Sequence, residues 1–316
     1  MNRAEIPSLT GLRAVAALWV LGYHLRPVLH QLFPGYGNQL LADGYLGVDV
    51  FFVLSGFILA FNYGGRLASR SDYAVFLGHR IARIYPLHVV VLLGMVAVFL
   101  GAGALGLQVR EEERFALDYH LPLHLTMTHA WGFEESLRFN QPSWSVSAEF
   151  FAYLLFPVFW WIASRADRTA ALVALAGGAS FGGVLVLRQV LGYEDLHVAT
   201  HHALVRVSGA FLAGTAVYRV FAARADAPPP SAWASGLAVA AVVATAASPL
   251  ADWAMPVAAC VLVYGLARGA GAGGLPRRPG RLPGLRGARR GAAAPGRGLG
   301  PGGGGGGGDG RLAPRR

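Results

Sequence analysis

Charged residues and cysteine are both scarce in this chain of 316 residues. Only 14% of the residues are charged, whereas soluble domains carry roughly 25%. Hydrophobic residues make up 54% of the chain, and the mean hydropathy is +0.44. Cys260 is the single cysteine, which excludes a disulfide framework and a metal site built from several thiolates. This composition is typical of a polytopic membrane protein.

Eight apolar segments predict an all-α membrane protein with about eight transmembrane helices. Most of them have the roughly 17–25 residues that a spanning helix needs, and the last one is short. Because the polar lead before the first segment is short, we expect that segment to stay as a helix, with no cleavable signal peptide before it. The segments lie near residues 14–33, 45–62, 85–105, 143–163, 170–191, 203–221, 232–248 and 253–267.

The distribution of arginine predicts a cytoplasmic N-terminus. With that orientation, eleven arginines before the tail fall on the inner side and six on the outer side, as the positive-inside rule requires. The inner set is Arg3, Arg13, Arg66, Arg70, Arg80, Arg83, Arg165, Arg168, Arg219, Arg224 and Arg268. The outer set is Arg26, Arg110, Arg114, Arg138, Arg188 and Arg206. Arg206 lies just inside a segment, where an interfacial position is the ordinary explanation and a contact with Glu149 or Asp49 is the alternative.

The composition changes abruptly near Gly271 and divides the chain into a membrane domain, residues 1–270, and a tail, residues 271–316. The tail holds 18 Gly, 10 Arg and 6 Pro among 46 residues, so we expect it to be disordered and basic. One interpretation is a basic arm for anionic lipid or nucleic acid. The abrupt change favours another, translation of a GC-rich gene in a shifted frame, which would leave the membrane domain truncated.

Ionisable residues inside apolar segments mark the candidate site. The first segment has Arg13 near one end and His24 toward the other, with ten residues between them, or roughly 16 Å along a helix. An ionisable group within a spanning helix is costly and by default suggests a function. We expect the imidazole of His24 to be buried in the bundle. The alternative is that it lies near the outer end and faces water or a neighbouring helix.

A carboxylate in the second segment could assist that histidine. Asp49 and His24 both fall in the outer halves of adjacent, antiparallel helices. A carboxylate beside an imidazole fixes its tautomer and raises its basicity, as general-base chemistry on a hydroxyl requires. A helix-capping or loop-facing Asp49 is the alternative.

Two further features lie at the third and fourth segments. Arg80 and Arg83 are three residues apart on one helical face and suit a phosphate, although a lipid headgroup or simple positive-inside anchoring would also explain them. Glu149 lies in an apolar stretch where an unpaired carboxylate is costly. Ser143, Ser145 and Ser147 precede it, and the first two are suited to capping the helix.

A metal site is the weaker interpretation of the histidines in the long outer loop. His120 and His124 have the i, i+4 spacing of some zinc ligands. However, Pro122 lies between them and no acidic partner completes a site in the sequence. We therefore expect no metal, and an interfacial amphipathic segment instead.

Four motifs in this order resemble membrane acyltransferase family 3, the O-antigen, peptidoglycan and macrolide acyltransferase group of bacteria. They are the R-x10-H of the first segment, GVDVFFVLSGF at 47–57, RIARIYP at 80–86 and PSWSVSAEFFAYLLFP at 142–157. The resemblance covers about residues 7–270. It implies about ten membrane helices, so two further helices would be expected where the tail begins.

The resemblance also implies an activity and its partners. Members move an acyl group, often acetyl, from cytoplasmic acyl-CoA to a hydroxyl of a sugar or related acceptor. The chain would thus be a multi-pass protein of the bacterial inner membrane, in contact with lipid but not nucleic acid, with acyl-CoA as co-substrate and no bound cofactor. If the closing helices are missing, the alternative is an inactive transporter-like or scaffold protein.

Site residues follow by position in the motifs. Arg13 and His24 match the family's essential arginine–histidine pair, and Asp49 and Glu149 match its conserved acids. Arg80 and Arg83 match the R-x-x-R that is proposed to meet the CoA phosphates. The resemblance therefore predicts His24, Asp49 and Glu149 as catalytic, Arg80 and Arg83 as donor-binding, and Arg13 and Ser147 as supporting residues.

Overall fold

The fold is entirely helical in the part of the chain that the structure, a computed structural model, describes. That part comprises residues 5–34, 39–107, 117–134, 138–192, 202–228, 231–248 and 250–269. No strand occurs in these ranges, which confirms the predicted all-α class. The tail, residues 271–316, and the disorder predicted for it lie outside the described residues.

Ten α-helices follow one another along the described ranges. They are α1 (Pro7–Leu32), α2 (Gln39–Ala42), α3 (Gly47–Tyr63), α4 (Arg70–Ala104), α5 (His120–Leu125), α6 (Trp144–Arg165), α7 (Thr169–Leu185), α8 (Ala203–Ala223), α9 (Ala232–Ala246) and α10 (Ala251–Gly269). Short 3-10 turns, Asp43–Leu46 and Gln141–Ser143, lead into α3 and α6, and a π-helical turn, Val186–Val190, extends α7.

Each of the eight apolar segments predicted from the sequence coincides with one of the eight long helices. By length and composition, five described helical segments are apolar enough to cross a membrane: Gln39–Tyr63, Arg70–Ala104, Gln141–Arg165, Thr169–Val190 and Ala203–Ala223. Within α9, Gly236–Ala246 is a shorter apolar stretch. The protein is a multi-pass membrane protein.

The third segment begins earlier than predicted, because α4 starts at Arg70 and continues through Pro86. Ser69 and Asp72 form a capping box in which each side chain binds the other residue's backbone N–H, and this fixes the helix start. Pro86, next to the predicted start of the segment at residue 85, therefore lies inside the helix. As a result, Arg80 and Arg83 lie within a 35-residue helix rather than at its entrance.

Helix α8 is the centre of the bundle and packs against α3, α6, α7 and α10. Glycines allow the closest approaches, as is usual where membrane helices cross. A Cβ atom at Gly56 of α3 would collide with the carbonyl oxygen of Phe211, and one at Gly214 of α8 with that of Val53. Helices α3 and α8 are thus in backbone contact at two positions.

Helices α1 and α4 lie at the periphery. α1 packs mainly on α3 and on the turn Asp43–Leu46 that leads into it, and α4 packs mainly on α6. Only 11% of the most apolar stretch of α4 is buried. Both helices expose rows of large apolar side chains, as expected for surfaces that face lipid: Val15, Leu18, Leu21, Leu25, Val28, Leu87, Val90, Leu93 and Val98.

Replacing Gly214 by alanine is expected to destabilise the bundle, because the added methyl group has no space against the backbone of Val53. Overpacking of a tight interface costs about 1–3 kcal/mol, so the unfolding temperature of the detergent-solubilised protein should fall. Gly94→Ala in α4 is the matched control, since nothing lies within 4 Å of a Cβ there. Equal stability of the two variants would contradict the close α3–α8 contact.

Candidate active site in two stacked cavities

A cavity of about 260 Å³ opens at one end of the bundle. We call it the outer cavity, because the arginine distribution predicts that this end lies outside. Residues of α1, α3, α6 and α8, together with the turns that lead into α3 and α6, form its wall. The wall is aromatic and basic, and it contains the histidine predicted from the first segment. Its lining is Val20, Tyr23, His24, Arg26, Pro27, Tyr45, Val48, Gln141, Trp144 and Arg206.

His24 lies at the rim of this cavity and is exposed, so the expectation of a buried imidazole is wrong. The reason is the peripheral position of α1, whose outer half is covered on one side only. The imidazole contacts the ring of Tyr23 edge-on, at 5.1 Å between centroids. Such a histidine is accessible to a substrate that enters from the cavity mouth.

Asp49 is buried and forms an ion pair with Arg206 of α8. The guanidinium donates through Nε to Oδ1 at 3.0 Å and through Nη2 to Oδ2 at 2.7 Å, so both carboxylate oxygens accept from it. The two side chains are only 1% and 3% exposed. Each charge is therefore compensated inside the membrane domain, as burial requires. The contact that the structure shows for Asp49 is with Arg206, rather than the predicted one with His24.

Further polar contacts fix the wall around Arg206. Its Nη2 also donates to the carbonyl oxygen of Tyr45 at 3.3 Å. The Tyr45 hydroxyl donates in turn to Asp252 of α10 at 2.5 Å, and Arg188 donates to the other oxygen of Asp252 at 3.0 Å. The ring of Trp144 lies 5.4 Å from the guanidinium carbon of Arg206. This network links α3, α6, α8 and α10 around one end of the bundle.

Two adjoining cavities of about 210 and 170 Å³ lie further along the bundle and share Arg13, Arg80 and Arg83. We call them together the inner cavity. The first is lined also by Glu5, Ile6, Leu9, Thr10, Ile58, Leu59, Asn62 and Tyr63. The second adds Phe51, Ser55, Ile84, Glu149 and Tyr153. Three guanidinium groups in one cavity form a strongly cationic site.

Arg80 is the buried member of this group. It is only 6% exposed, and its Nε has no hydrogen-bond partner. Its Nη2 is 3.5 Å from the Tyr63 hydroxyl, and its guanidinium lies over the rings of Tyr63 and Tyr153, at 5.5 and 6.0 Å. A buried donor without a partner is costly, and an anion in the cavity would satisfy it. Arg83, by contrast, is exposed.

Glu149 belongs to the inner cavity and not to the outer one. It lies with the three arginines, and its Oε1 accepts a hydrogen bond of 2.6 Å from Ser55. The predicted catalytic residues therefore separate into two groups, with His24 in the outer cavity and Glu149 in the inner cavity. Asp49 does not line the outer cavity, but it contacts Arg206, which does.

The two cavities are stacked along the same three helices. On α3, Val48 lines the outer cavity and Phe51 the inner one; on α6, Trp144 and Glu149 have these positions. Three and five residues correspond to about 4.5 and 7.5 Å along a helix. On α1, likewise, His24 lines the outer cavity and Arg13 the inner one, so that α1, α3 and α6 contribute residues to both levels.

Ser147 has a structural role, because its hydroxyl joins two segments of the chain. Its hydroxyl donates to the carbonyl oxygen of Met127 at 2.8 Å and accepts from the backbone N–H of Ala130 at 3.1 Å, and it is fully buried. Trp131 donates to its carbonyl oxygen at 3.2 Å. Ser147 thus ties the outer segment, residues 117–134, to the first turns of α6. This contact supports both cavities, because Trp144 and Glu149 lie on the same helix.

The histidines of the outer segment are buried, and a carboxylate lies beside them. Glu134 Oε1 is 3.0 Å from His120 Nδ1, and Oε2 is 3.3 Å from His124 Nε2, the second contact without hydrogen-bond alignment. The rings of His124 and His129 stack at 3.9 Å. The expectation that these histidines have no acidic partner is therefore wrong, whereas the interfacial position of the segment stays a prediction. Folding of the loop brings Glu134 back over α5.

Burial lowers the basicity of two histidines in this segment. Desolvation, followed by the nearby His88 and His120, lowers the pKa of His124 to about 3. Desolvation and the neighbouring histidines lower that of His129 to about 3 as well. Burial raises the pKa of Glu134. Over the described part of the chain, no group of three or more His, Cys, Asp or Glu side chains is arranged to hold a metal ion.

Sequence reasoning missed Tyr45 and Trp144 as members of the outer cavity and left the position of Arg206 open. Of its two interpretations, the contact with Asp49 is the one that the structure shows, and Arg206 is only 4% exposed. Its position inside an otherwise small and apolar helix was the available signal. No local pattern could identify Tyr45, because its role comes from contacts with α8 and α10.

Comparison with known proteins finds matches that are named as acyltransferases. The family model described as "Acyltransferase domain" matches residues 6–272. Acyltransferase MdmB of Streptomyces mycarofaciens is 35% identical over 164 residues, which are 49% of this chain and 39% of that protein. No solved structure matches the chain.

Two further relatives are named as O-acetyltransferases. The putative peptidoglycan O-acetyltransferase YrhL of Bacillus subtilis is 31% identical over 54% of this chain and 26% of its own length. O-acetyltransferase OatA of Staphylococcus aureus is 28% identical over 48% of this chain and 24% of its own. The chain thus spans less than half the length of the relatives it matches.

Acid is expected to loosen the outer segment. His124 and His129 stay neutral in the folded state down to a pKa of about 3, whereas unfolded histidine takes up a proton near pH 6.5. Stability is therefore complete above pH 6.5 and is lost as the pH falls toward 3, by about 2 kcal/mol for each ring at pH 5. Hydrogen exchange of residues 120–131 in nanodiscs, measured from pH 7.5 to 4.5, should rise beyond its intrinsic pH dependence.

The control for this experiment compares substitutions of a buried and an exposed histidine. His124→Gln should flatten the pH dependence, because one of the two titrating rings is removed. His79→Gln, at an exposed position of α4, should leave it unchanged. An outer segment equally protected at pH 7.5 and pH 4.5 would contradict the neutral, buried state of these rings.

Proposed function

The chain belongs to the acyltransferase family whose model it matches over residues 6–272, and from that membership we propose that it is a membrane O-acyltransferase. The reaction moves an acyl group, acetyl in the simplest case, from acyl-CoA to a hydroxyl of a carbohydrate or related acceptor. The arrangement that carries the proposal is the stacking of a cationic cavity below one that holds an accessible histidine.

The inner cavity suits the donor. Acyl-CoA is a polyanion, and Arg13, Arg80 and Arg83 offer guanidinium groups that bind phosphate oxygens through paired N–H donors. The orphaned Nε of Arg80 is the donor that such an anion would satisfy. The excess of arginine on this side supports a cytoplasmic location for it, and acyl-CoA is available there. The N-terminus is then cytoplasmic, and the membrane is the bacterial inner membrane.

Glu149 has a supporting part in this arrangement. Its carboxylate offsets some of the positive charge of the three arginines and accepts from Ser55, so that the inner cavity is organised before the donor binds. A direct catalytic part for Glu149 would take place at the level of the inner cavity. Arg13 lies beside Glu149 as the third cation of the inner cavity. Ser147 holds α6, the helix that carries Glu149.

The outer cavity suits the acceptor. Its aromatic wall, with Tyr23, Tyr45 and Trp144, offers flat apolar faces beside polar donors, as sugar rings require. His24 lies at its rim and takes the proton of the acceptor hydroxyl as a general base. The relatives named as O-acetyltransferases, one of them for peptidoglycan, support a hydroxyl on a glycan as acceptor. In this proposal the thioester end of the donor reaches the outer cavity between α1, α3 and α6, the helices that line both cavities.

Loss of the imidazole is expected to abolish transfer. His24→Ala should lower the rate of acetyl transfer by about 10²–10⁴-fold, the usual contribution of a general base, while membrane insertion stays normal. The measurement is incorporation of radiolabelled acetyl groups into glycan by membranes that contain the chain. His30→Ala, on the same helix but outside the cavity lining, is the control. Wild-type incorporation by His24→Ala would refute the role of the base.

Loss of Arg83 is expected to weaken donor binding. Removing a charged hydrogen bond of about 1.5–3 kcal/mol should raise the KM for acetyl-CoA by about 10–100-fold, with a smaller change in kcat. Arg70→Ala, on the same helix and outside the inner cavity, should leave the KM unchanged.

The side of the membrane from which acetyl-CoA enters can be tested with sealed vesicles of the two orientations. Inside-out vesicles should accept added acetyl-CoA, and right-side-out vesicles should not. An unchanged KM in Arg83→Ala would remove this residue from the donor site, and donor use from the outer face alone would reverse the proposed orientation.

A further inference from the structure

We propose that Arg206 is a further catalytic residue of this reaction, which binds the oxyanion that forms when the acceptor hydroxyl attacks the thioester. The inference rests on the proposed function. It starts from one observation: the guanidinium of Arg206 and the imidazole of His24 line the same cavity, although they come from α8 and α1. A cavity with a base on one wall and a fixed hydrogen-bond donor on another has the two groups that acyl transfer requires.

The position of Arg206 is fixed before any substrate binds. Two of its nitrogens are held by Asp49, at 2.7 and 3.0 Å, and a backbone carbonyl oxygen of Tyr45 lies 3.3 Å from Nη2. The rings of Tyr45 and Trp144 lie 5.9 and 5.4 Å from its central carbon. A donor that is already held in place needs no reorganisation as charge develops, and this is the main source of oxyanion stabilisation in enzymes.

Asp49 also makes a cation possible at this depth. A lone guanidinium among apolar helices would be costly, and the carboxylate offsets its charge. Asp49 itself lines a separate, very small cavity with Ser180 and Pro256 and does not line the outer cavity, whereas Arg206 lines both. Arg206 therefore lies between the carboxylate and the acceptor. Asp49 acts through Arg206 as a positioning residue.

The other polar groups of the outer cavity are less suited to binding the oxyanion. Arg26 is exposed at the rim, with its guanidinium over the ring of Tyr23 at 5.3 Å. The hydroxyl of Tyr45 donates to Asp252. Among the described residues of the lining, Arg206 is the buried cation.

The step balances as follows. The acceptor hydroxyl gives its proton to His24 while its oxygen forms a bond to the thioester carbon. The carbonyl electron pair moves onto oxygen, and N–H groups of Arg206 donate to that oxyanion. When the carbonyl re-forms, the carbon–sulfur bond breaks, and the CoA thiolate takes the proton back from the imidazolium. The products are the ester and CoA, with no net change on the protein.

The test is a pair of substitutions that keeps the buried site neutral. In Asp49→Asn/Arg206→Gln two amides of similar shape replace the ion pair, so neither charge is left alone in the bundle. We expect this variant to insert and to unfold near the wild-type temperature. Its KM for acetyl-CoA should stay unchanged, while kcat falls by about 10²–10³-fold, as when an oxyanion donor is removed elsewhere. Arg219→Gln, on the same helix but outside both cavities, is the control.

Two further measurements separate catalysis from structure. Arg206→Lys keeps the charge and can still pair with Asp49, so it should fold even if the double variant does not, and we expect a reduced kcat. In Arg206→Gly, millimolar guanidinium should restore part of kcat, which loss of a purely structural contact would not allow.

The outcomes are distinct. If the wild-type chain transfers acetyl groups and the folded double variant has a kcat within a few-fold of it, the inference is overturned and the proposed function stands. A rise in acceptor KM with unchanged kcat would also overturn it, because Arg206 would then only bind the acceptor. A wild-type kcat in Arg206→Lys would have the same consequence. No transfer by the wild-type chain would refute the proposed function itself.

Discussion

The buried ion pair between Asp49 and Arg206 is the interaction on which the outer cavity and the contact between α3 and α8 at that end of the bundle depend. It joins α3 to the central helix α8 with neither side chain more than 3% exposed. Because an unpaired charge inside a membrane domain is costly, removal of either partner affects the other. The same pair places a cation in the wall of the outer cavity. Packing of the bundle and composition of the site therefore have one common origin.

Much of the fold could be predicted from apolar length and charge distribution, because these depend on the bilayer and not on tertiary contacts. The eight segments follow from hydropathy. The start of α4 could not be found in this way, because the capping box at Ser69 and Asp72 lies among polar residues upstream of the apolar run. Glycine contacts such as Gly214 with Val53 depend on which helices meet, and sequence spacing alone does not give that.

The candidate site shows the same division. Motif positions identified His24, Arg80 and Arg83, and the structure places them in two cavities, one above the other. The partner of Asp49 is 157 residues away in the chain, so no local pattern could connect them. Glu134 likewise meets His120 only after the outer segment folds back. Local sequence thus indicated which side chains matter, and long-range packing decided what each of them contacts.

The peripheral position of α1 and α4 determines where the protein can adapt. Helices α3 and α8 are interlocked through backbone contacts at Gly56 and Gly214 and have no room to slide or rotate. In contrast, α1 and α4 rest on the bundle along one side only. Any widening of the inner cavity must therefore come from these two helices, which line it. The thickness and fluidity of the surrounding lipid would then govern how fast the proposed acyl donor enters.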